Sequence, residues 1–208
     1  MTIDLRLADL VASRLCHDLV GPAGAVAAGL ELLEQPSDMD PEAMDLVRMS
    51  ASQLNARLNF FRLAFGKAEA GSVDLQSVEG IMAGYLGDSL TFNWHPPQDM
   101  AGNKITRRSS RLLFLASMVA QSAILRVHSL STQIASTETG TALGVLAEGQ
   151  SGEMDPAMRR VLDGAATDDD FVPALLPGLL LYHCCRDGGC ELQYDAGKGV
   201  TEIAILCP

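Results

Sequence analysis

Arg14-Leu15-Cys16-His17-Asp18-Leu19-Val20-Gly21-Pro22 lies in the middle of the first long helical pattern, and its reading decides how the rest of the chain is understood. Around it Leu5, Ala8, Ala12, Leu15, Leu19, Pro22, Val26, Gly29 and Leu33 recur at alternating steps of three and four. That spacing keeps one seam of a helix against a partner helix. At about 100° per residue, His17 falls opposite Leu15 and Leu19, in a column with Ser13, Gly21, Gly24 and Ala28. The column carries almost no bulk above or below the imidazole, and Leu10 and Val20 border it with apolar surface. Glycine inside a helix costs roughly 1 kcal/mol against alanine, and Pro22 removes a backbone donor and favours a kink. Such costs on an exposed face suggest a selected shape. Leu10, Ser13, Val20, Gly21, Pro22 and Gly24 are therefore the expected docking residues for another protein.

A solitary exposed histidine is usually solvated surface, but the neighbours of His17 give it chemistry. Neutral imidazole is a nucleophile at one nitrogen and can take a phosphoryl group from an aspartyl phosphate and surrender it again. Asp18 can accept a hydrogen bond from the other ring nitrogen and set the tautomer. Arg14, on the preceding turn, is placed to meet the equatorial oxygens of a transferring phosphoryl group. His17, Asp18 and Arg14 are the expected catalytic set.

Outward from this stretch, the first helix is expected from near Asp4 to Leu33 or Glu34, ended by Gln35-Pro36-Ser37-Asp38. Asp40-Pro41-Glu42 reads as a cap with proline at the first helical position, opening a second helix that stops before Gly66. The short connector makes the two helices antiparallel. In the second, Met44, Val47, Ala51, Leu54, Leu58, Phe61 and Phe65 form one apolar row, and Leu46, Met49, Ala56, Phe60 and Leu63 form another. Two rows exceed what one neighbouring helix covers. Two hairpins related by a two-fold axis bury both rows in a four-helix bundle, which predicts a homodimer. The alternative is that the C-terminal half covers the second row.

Gly66-Lys67-Ala68-Glu69-Ala70-Gly71-Ser72 is a linker by composition, dividing the chain into a helical hairpin, residues 1–66, and a second domain, residues 72–208. In the second domain Ser89–Trp94 alternates as a strand closed by His95-Pro96-Pro97, and Arg107 to Val127 reads as a largely apolar helix. Leu130–Thr137 and Ala142–Ala147 read as strands, Asp155 to Asp163 and Val172 to Cys185 as helices. Glu191–Tyr194 and Val200–Leu206 form a terminal hairpin. Nothing is assigned between the linker and Ser89. The sum is an α+β chain: an antiparallel helical hairpin followed by an α/β sandwich, one mixed sheet under helices.

Composition narrows the function. An apolar fraction of 48% over 208 residues supports a real core. A formal charge of −11 argues against a nucleic-acid surface, since the one basic cluster is Lys104, Arg107, Arg108 and Arg111. No apolar run reaches the length of a membrane span and the N-terminus lacks a signal pattern, so a cytoplasmic protein without membrane contact is expected. Five cysteines without framework spacing fit a reducing compartment. His183-Cys184-Cys185-Arg186-Asp187-Gly188-Gly189-Cys190 lacks the paired spacing of a zinc site and reads as buried free cysteine. Thr167-Asp168-Asp169-Asp170 reads as a solvated loop, and His95 and His128 as structural.

His17-Asp18-Leu19-Val20-Gly21-Pro22 resembles the phosphoacceptor box of two-component histidine kinases. The longer run from Leu15 to Pro22, followed by Gly29-Leu30-Glu31-Leu32-Leu33, resembles more closely the ChpT-type histidine phosphotransferases of alphaproteobacterial phosphorelays. The resemblance covers the whole chain and is strongest over residues 1–66. It implies a homodimer whose hairpins form a four-helix bundle, flanked by degenerate histidine-kinase-ATPase-like domains. It also implies phosphate shuttling through His17 between aspartates on receiver domains, those of a hybrid sensor kinase and of response regulators. No cofactor is implied on this chain; Mg²⁺ is expected only on the partner receiver domain.

One departure concerns Gly21, where many kinases carry Thr or Asn; weak intrinsic phosphatase activity is expected in consequence. The helix corresponding to the metal-binding one reads Leu113–Ile124 with no asparagine, and Ala147-Glu148-Gly149-Gln150-Ser151-Gly152 stands where an adenine loop is expected. ATP binding is therefore not expected. The competing readings are an ATP-dependent histidine kinase and a non-catalytic module that docks a response regulator.

Overall fold

A computed structural model describes residues 5–34, 41–66, 70–97, 103–138 and 140–208. The expected start at Asp4, the stop at Gln35–Asp38, the cap at Asp40 and the linker residues 67–69 lie outside these. Helices α1 (Leu5–Leu33) and α2 (Pro41–Ala64) form the hairpin. They run antiparallel, since Gly29 faces Ala43 and Val47 while Asp18 meets Arg57. A β-carbon on Gly29 would stand 2.6 Å from Val47 Cγ2 and 3.3 Å from the Ala43 carbonyl oxygen, so glycine here sets how closely the helices approach.

Beyond the hairpin, a short antiparallel pair, β1 (Ser72–Asp74) with β3 (Lys104–Thr106), flanks the main sheet. Between them come α3 (Leu75–Leu86) and β2 (Thr91–His95). Next are α4 (Arg107–Ser122), β4 (Leu125–Ser136), β5 (Thr141–Ser151), α5 (Pro156–Leu162) and α6 (Leu176–Gly188). The chain ends in β6 (Glu191–Gly197) and β7 (Val200–Cys207). The five-stranded sheet has the order β2-β4-β5-β7-β6, with β2 parallel to β4 and the other pairs antiparallel. Its inner face presents Leu130, Ile134, Leu143, Val145, Ala147, Ile203 and Ile205 to the helices, and α4 is buried along Leu112–Ala120. This is the expected α+β architecture.

Several features differ from expectation: α6 begins at Leu176, after a 3-10 turn at Pro173–Leu175, rather than at Val172, and β1 and β3 carried no assignment. Helix α3 was hidden by Gly80 and Gly84, yet Leu75, Val78, Met82 and Leu86 bury one face, and the Asp74 carboxylate caps it by accepting from the Ser77 N–H at 2.7 Å. Helix α4 stops at Ser122 rather than Val127, because Leu125 and Val127 pair with Ser151 and Gly149 of β5. Cys190 and Cys207, read as free, form a disulfide: the β6–β7 register sets Glu191 opposite Leu206, which puts the flanking cysteines side by side. Cys184 and Cys185 stay reduced, and burial pushes the Cys185 thiol up to about 12.

The acidic run is solvated at Thr167, Asp168 and Asp169, as expected, but not at Asp170. Residues Asp168–Asp170 form a 3-10 turn, and Asp170 is 2% exposed. Arg160 Nη2 donates to Asp170 Oδ1 at 2.6 Å, and the Thr167 N–H and hydroxyl donate to Oδ2 at 2.9 and 3.0 Å. The guanidinium, then the Thr167 N–H, hold this carboxyl at about 2, against an ordinary 3.8. A depressed folded-state pKa stabilises fully above the unfolded value and is lost as pH falls through the folded one. Asp170→Asn is therefore expected to melt below wild type at neutral pH, and the gap to narrow as pH falls from ~4 toward ~2. Melting curves across that range check it; a gap that does not narrow contradicts it.

Candidate functional site

The site is built on the solvent side of α1. The His17 side chain is 84% exposed, standing clear of the helix as the periodicity requires. Its Nδ1 lies 2.8 Å from Asp18 Oδ1, while Arg14 Nε donates to Asp18 Oδ2 at 2.8 Å. The Asp18 side chain, 11% exposed, thus has one oxygen for the imidazole and one for the guanidinium. An acidic partner at Nδ1 fixes the proton there and leaves the lone pair on Nε2, directed away from the carboxylate. Arg14 commits one of the five N–H donors of its guanidinium, that on Nε, to Asp18.

Around the ring the helix is bare. Ser13, Gly21 and Gly24 are exposed, and a β-carbon built on either glycine meets nothing within 4 Å. Val20 borders this clearing at 68% exposure, and Pro22 is half-buried inside the helix.

Leu10 is the correction. It is 8% exposed and belongs to the hydrophobic core rather than to the docking rim. The seam expected through Leu5, Ala8 and Ala12 leaves those three exposed; Leu7, Leu10 and Val11 turn inward instead. The reason is that the N-terminal half of α1 lies against the second half of the chain, including the turn at Pro173–Leu175 and α6. Arg6 anchors the same contact, with its guanidinium 4.8 Å from the centre of the Phe171 ring and Nη1 3.0 Å from Asp168 Oδ1.

Two residues beside the site carried no sequence signal. Arg57, on α2, donates from Nη1 to the Asp18 backbone carbonyl at 2.6 Å. Tyr85, on α3, stacks on Phe60 with ring centres 3.7 Å apart, and its hydroxyl pKa is raised by burial and further by the Asp18 carboxylate. Asp18 is therefore held by side chains from α1 and α2, and its charge reaches Tyr85 on α3.

In the second half of the chain, the glycines of Ala147–Gly152 are used for packing. A β-carbon on Gly149 would collide with Ile124 Cγ2, and one on Gly152 would stand 2.7 Å from the Ala123 carbonyl oxygen. The end of β5 is thereby pressed onto the C-terminal end of α4. Among the described residues no group of three or more His, Cys, Asp or Glu is arranged to hold a metal ion, and no helix is long and apolar enough to cross a membrane.

Comparison with known proteins bears on both halves. The family described as histidine phosphotransferase C-terminal domain matches residues 75–199. A Brucella abortus (strain 2308) protein named protein phosphotransferase ChpT is 29% identical over 168 residues, spanning 79% of this chain and 78% of its own length. The solved structure of a bacterial phosphotransferase superposes with a TM-score of 0.81 at 25% identity, over 99% of this chain and 98% of that one. Full-length ShkA, solved in complex with AMPPNP, matches at a TM-score of 0.50 and 14% identity, over 96% of this chain and 45% of its own, a likeness of fold.

Proposed function

This chain belongs to the histidine phosphotransferase family, and on that premise we propose that His17 is its phosphoacceptor, loaded from and discharged to aspartates on receiver domains. The observation that carries the proposal is the geometry at one imidazole, 84% exposed with its Nδ1 2.8 Å from a carboxylate. In the forward step the Nε2 lone pair attacks phosphorus of an aspartyl phosphate. A nitrogen–phosphorus bond forms, the phosphorus–oxygen bond breaks, and the aspartate leaves as carboxylate. The ring keeps its Nδ1 proton and the positive charge that develops on it, and Asp18 offsets that charge. Arg14 is the cation for the equatorial oxygens of the phosphoryl group in flight. Discharge to a second receiver is the same sequence reversed.

The proposed partners are the receiver domains of a hybrid sensor kinase and of response regulators, with Mg²⁺ held by the receiver. The clearing at Ser13, Gly21 and Gly24 supports close approach of a folded surface to the ring. Nucleotide takes no part in the cycle we propose. The packing of Gly149 and Gly152 against α4, together with an α4 buried from Leu112 to Ala120, supports that reading. Two copies are proposed to pair through their hairpins, because Leu30, Leu32, Leu46, Met49 and Leu58 leave between 38% and 61% of their surface uncovered.

The test is transfer without nucleotide. A receiver domain phosphorylated with acetyl phosphate, then freed of small molecules, is expected to label the protein. The label should be lost in acid and kept in alkali, as a phosphoramidate is, and should map to His17. A label that requires ATP, or that maps elsewhere, refutes the proposal.

Docking against the bare face gives a prediction with opposite signs. Gly21→Leu places a side chain into open space one turn from His17. It is expected to stabilise α1 by about 0.8 kcal/mol through helix propensity, and to slow transfer about a hundredfold by holding the receiver off the ring. Melting curves and single-turnover transfer on one preparation check both; unchanged transfer rates would show that the clearing is not a docking surface.

A further inference from the structure

We propose that Arg57 is a positioning residue for the phosphotransfer site, acting on a backbone carbonyl that Pro22 leaves without its helical donor. The inference rests on the reading of His17 as phosphoacceptor. In an α-helix the carbonyl of each residue accepts from the N–H four residues on. Helix α1 continues unbroken through Pro22, so the carbonyl deprived of its donor is that of Asp18. Arg57 fills the gap from the neighbouring helix, donating from Nη1 to the Asp18 oxygen at 2.6 Å in a partly buried setting. A charged donor makes the replacement stronger than the backbone bond it substitutes.

The position of this bond is what gives it consequence. Asp18 presents two groups: its carboxylate holds His17 Nδ1 and Arg14 Nε, while its carbonyl is held by Arg57. Side chain and backbone of one residue are thus fixed from α1 and from α2 together. Without Arg57 the carbonyl, facing the interhelical space, turns outward toward water, and the turn carrying His17 and Asp18 pivots with it. The carboxylate then loses its register on Nδ1 and with it the tautomer that leaves Nε2 nucleophilic. The proline at this point in the sequence therefore does more than bend the helix: it opens an acceptor through which α2 pins the reacting turn.

A double-mutant cycle between residues 57 and 22 tests this, because Pro22→Ala restores the missing N–H and makes Arg57 redundant. The probe is the acetyl-phosphate-charged receiver domain that labels the wild-type protein fastest. Arg57→Met keeps the aliphatic stem and removes the donors. It is expected to lower the saturating transfer rate about tenfold while the receiver concentration for half-saturation stays put. Arg57→Lys, which still offers a cation to the carbonyl, should recover most of the loss. In the Pro22→Ala background the same Arg57→Met change should cost less than about twofold.

Equal losses in both backgrounds, a rise in the half-saturating concentration alone, or no loss with Pro22 present would each overturn the proposal, the first two pointing to direct contact with the receiver. Should Pro22→Ala silence transfer by itself, urea midpoints decide: Arg57→Met must lower the midpoint more with Pro22 in place than in the Pro22→Ala background, and equal shifts overturn the bond's role. Failure of the wild-type protein to take label at His17 would instead remove the phosphoacceptor reading, and the urea cycle would still judge the Arg57–carbonyl bond by itself.

Discussion

His17→Ala is expected to take no phosphoryl group from a charged receiver, while the receiver still binds. That result is expected because no other group in the clearing can substitute for the ring. Cys16, the adjacent exposed nucleophile, leaves α1 at about 100° from His17 and faces elsewhere. His95, on β2, has its Nδ1 3.3 Å from the Thr132 carbonyl, His128 lies on β4 and His183 on α6, so none of them is on the helix that carries the clearing. Loss of the label should therefore be complete, well beyond the roughly 10²–10⁴-fold that removal of a supporting acid or base costs. Cys16→Ala should be labelled at the wild-type rate. Single-turnover transfer with both variants reads the difference, and binding measured separately shows that docking survives. A His17→Ala protein that still carries acid-labile phosphate refutes phosphoacceptance at this ring. Intact signalling by His17→Ala, with signalling abolished by an Arg14 change, would move the protein to the class of docking modules.

What could be read from the sequence, and what could not, divides by the range of the interactions. The exposure of His17, the Asp18 contact to its ring and the emptiness beside Gly21 and Gly24 all follow from helical geometry within one or two turns, which periodicity determines directly. Leu10 looked the same as Val20 on that basis. What buries Leu10 is the packing of α1 against the Pro173–Leu175 turn and α6, an encounter that no local pattern encodes. Arg57 reaches Asp18 across 39 residues, and its role depends on the hairpin register as well as on the side chain.

The same distinction explains the second half of the chain. Of the three consecutive aspartates, Asp170 is held locally by Thr167 three residues before it, as in a capping box, and at longer range by Arg160, ten residues away on α5, the contact that no local pattern encodes. Cys190 and Cys207 become neighbours through strand register alone. Helix α3 did leave a local trace, the Asp74 cap with Leu75, Val78, Met82 and Leu86 at helical spacing, but two glycines within it weakened the pattern. The second apolar row of α2 shows how both proposed coverings can hold. Phe60 is buried by α3 and α4, and Ala56 and Leu63 are half-buried, while Leu46 and Met49 remain exposed toward the hairpin tip.

Phe60→Ala is expected to be the most destabilising single truncation at the junction of the two halves. The ring is fully buried, stacked on Tyr85 of α3 at 3.7 Å and edge-on to Phe114 of α4 at 4.8 Å and to Phe61 at 5.9 Å. Removing a buried phenylalanine costs about 4 kcal/mol in transfer and cavity terms. That is a large part of the roughly 5–15 kcal/mol by which domains are stable, and it should lower the melting temperature by about 10 °C. The form of the transition is as informative as its position. Leu10, Phe60, Phe61 and Ala64 of the hairpin belong to the same buried cluster as the sheet and α4, and Arg111 Nε ties α4 to the Ala64 carbonyl at 3.0 Å. One cooperative unit is therefore expected, its single transition moving as a whole in the variant. Calorimetry distinguishes the alternative: two resolved transitions, of which Phe60→Ala shifts the hairpin's alone, would mean that residues 1–66 fold independently and that the boundary near Gly66 divides two separate cores.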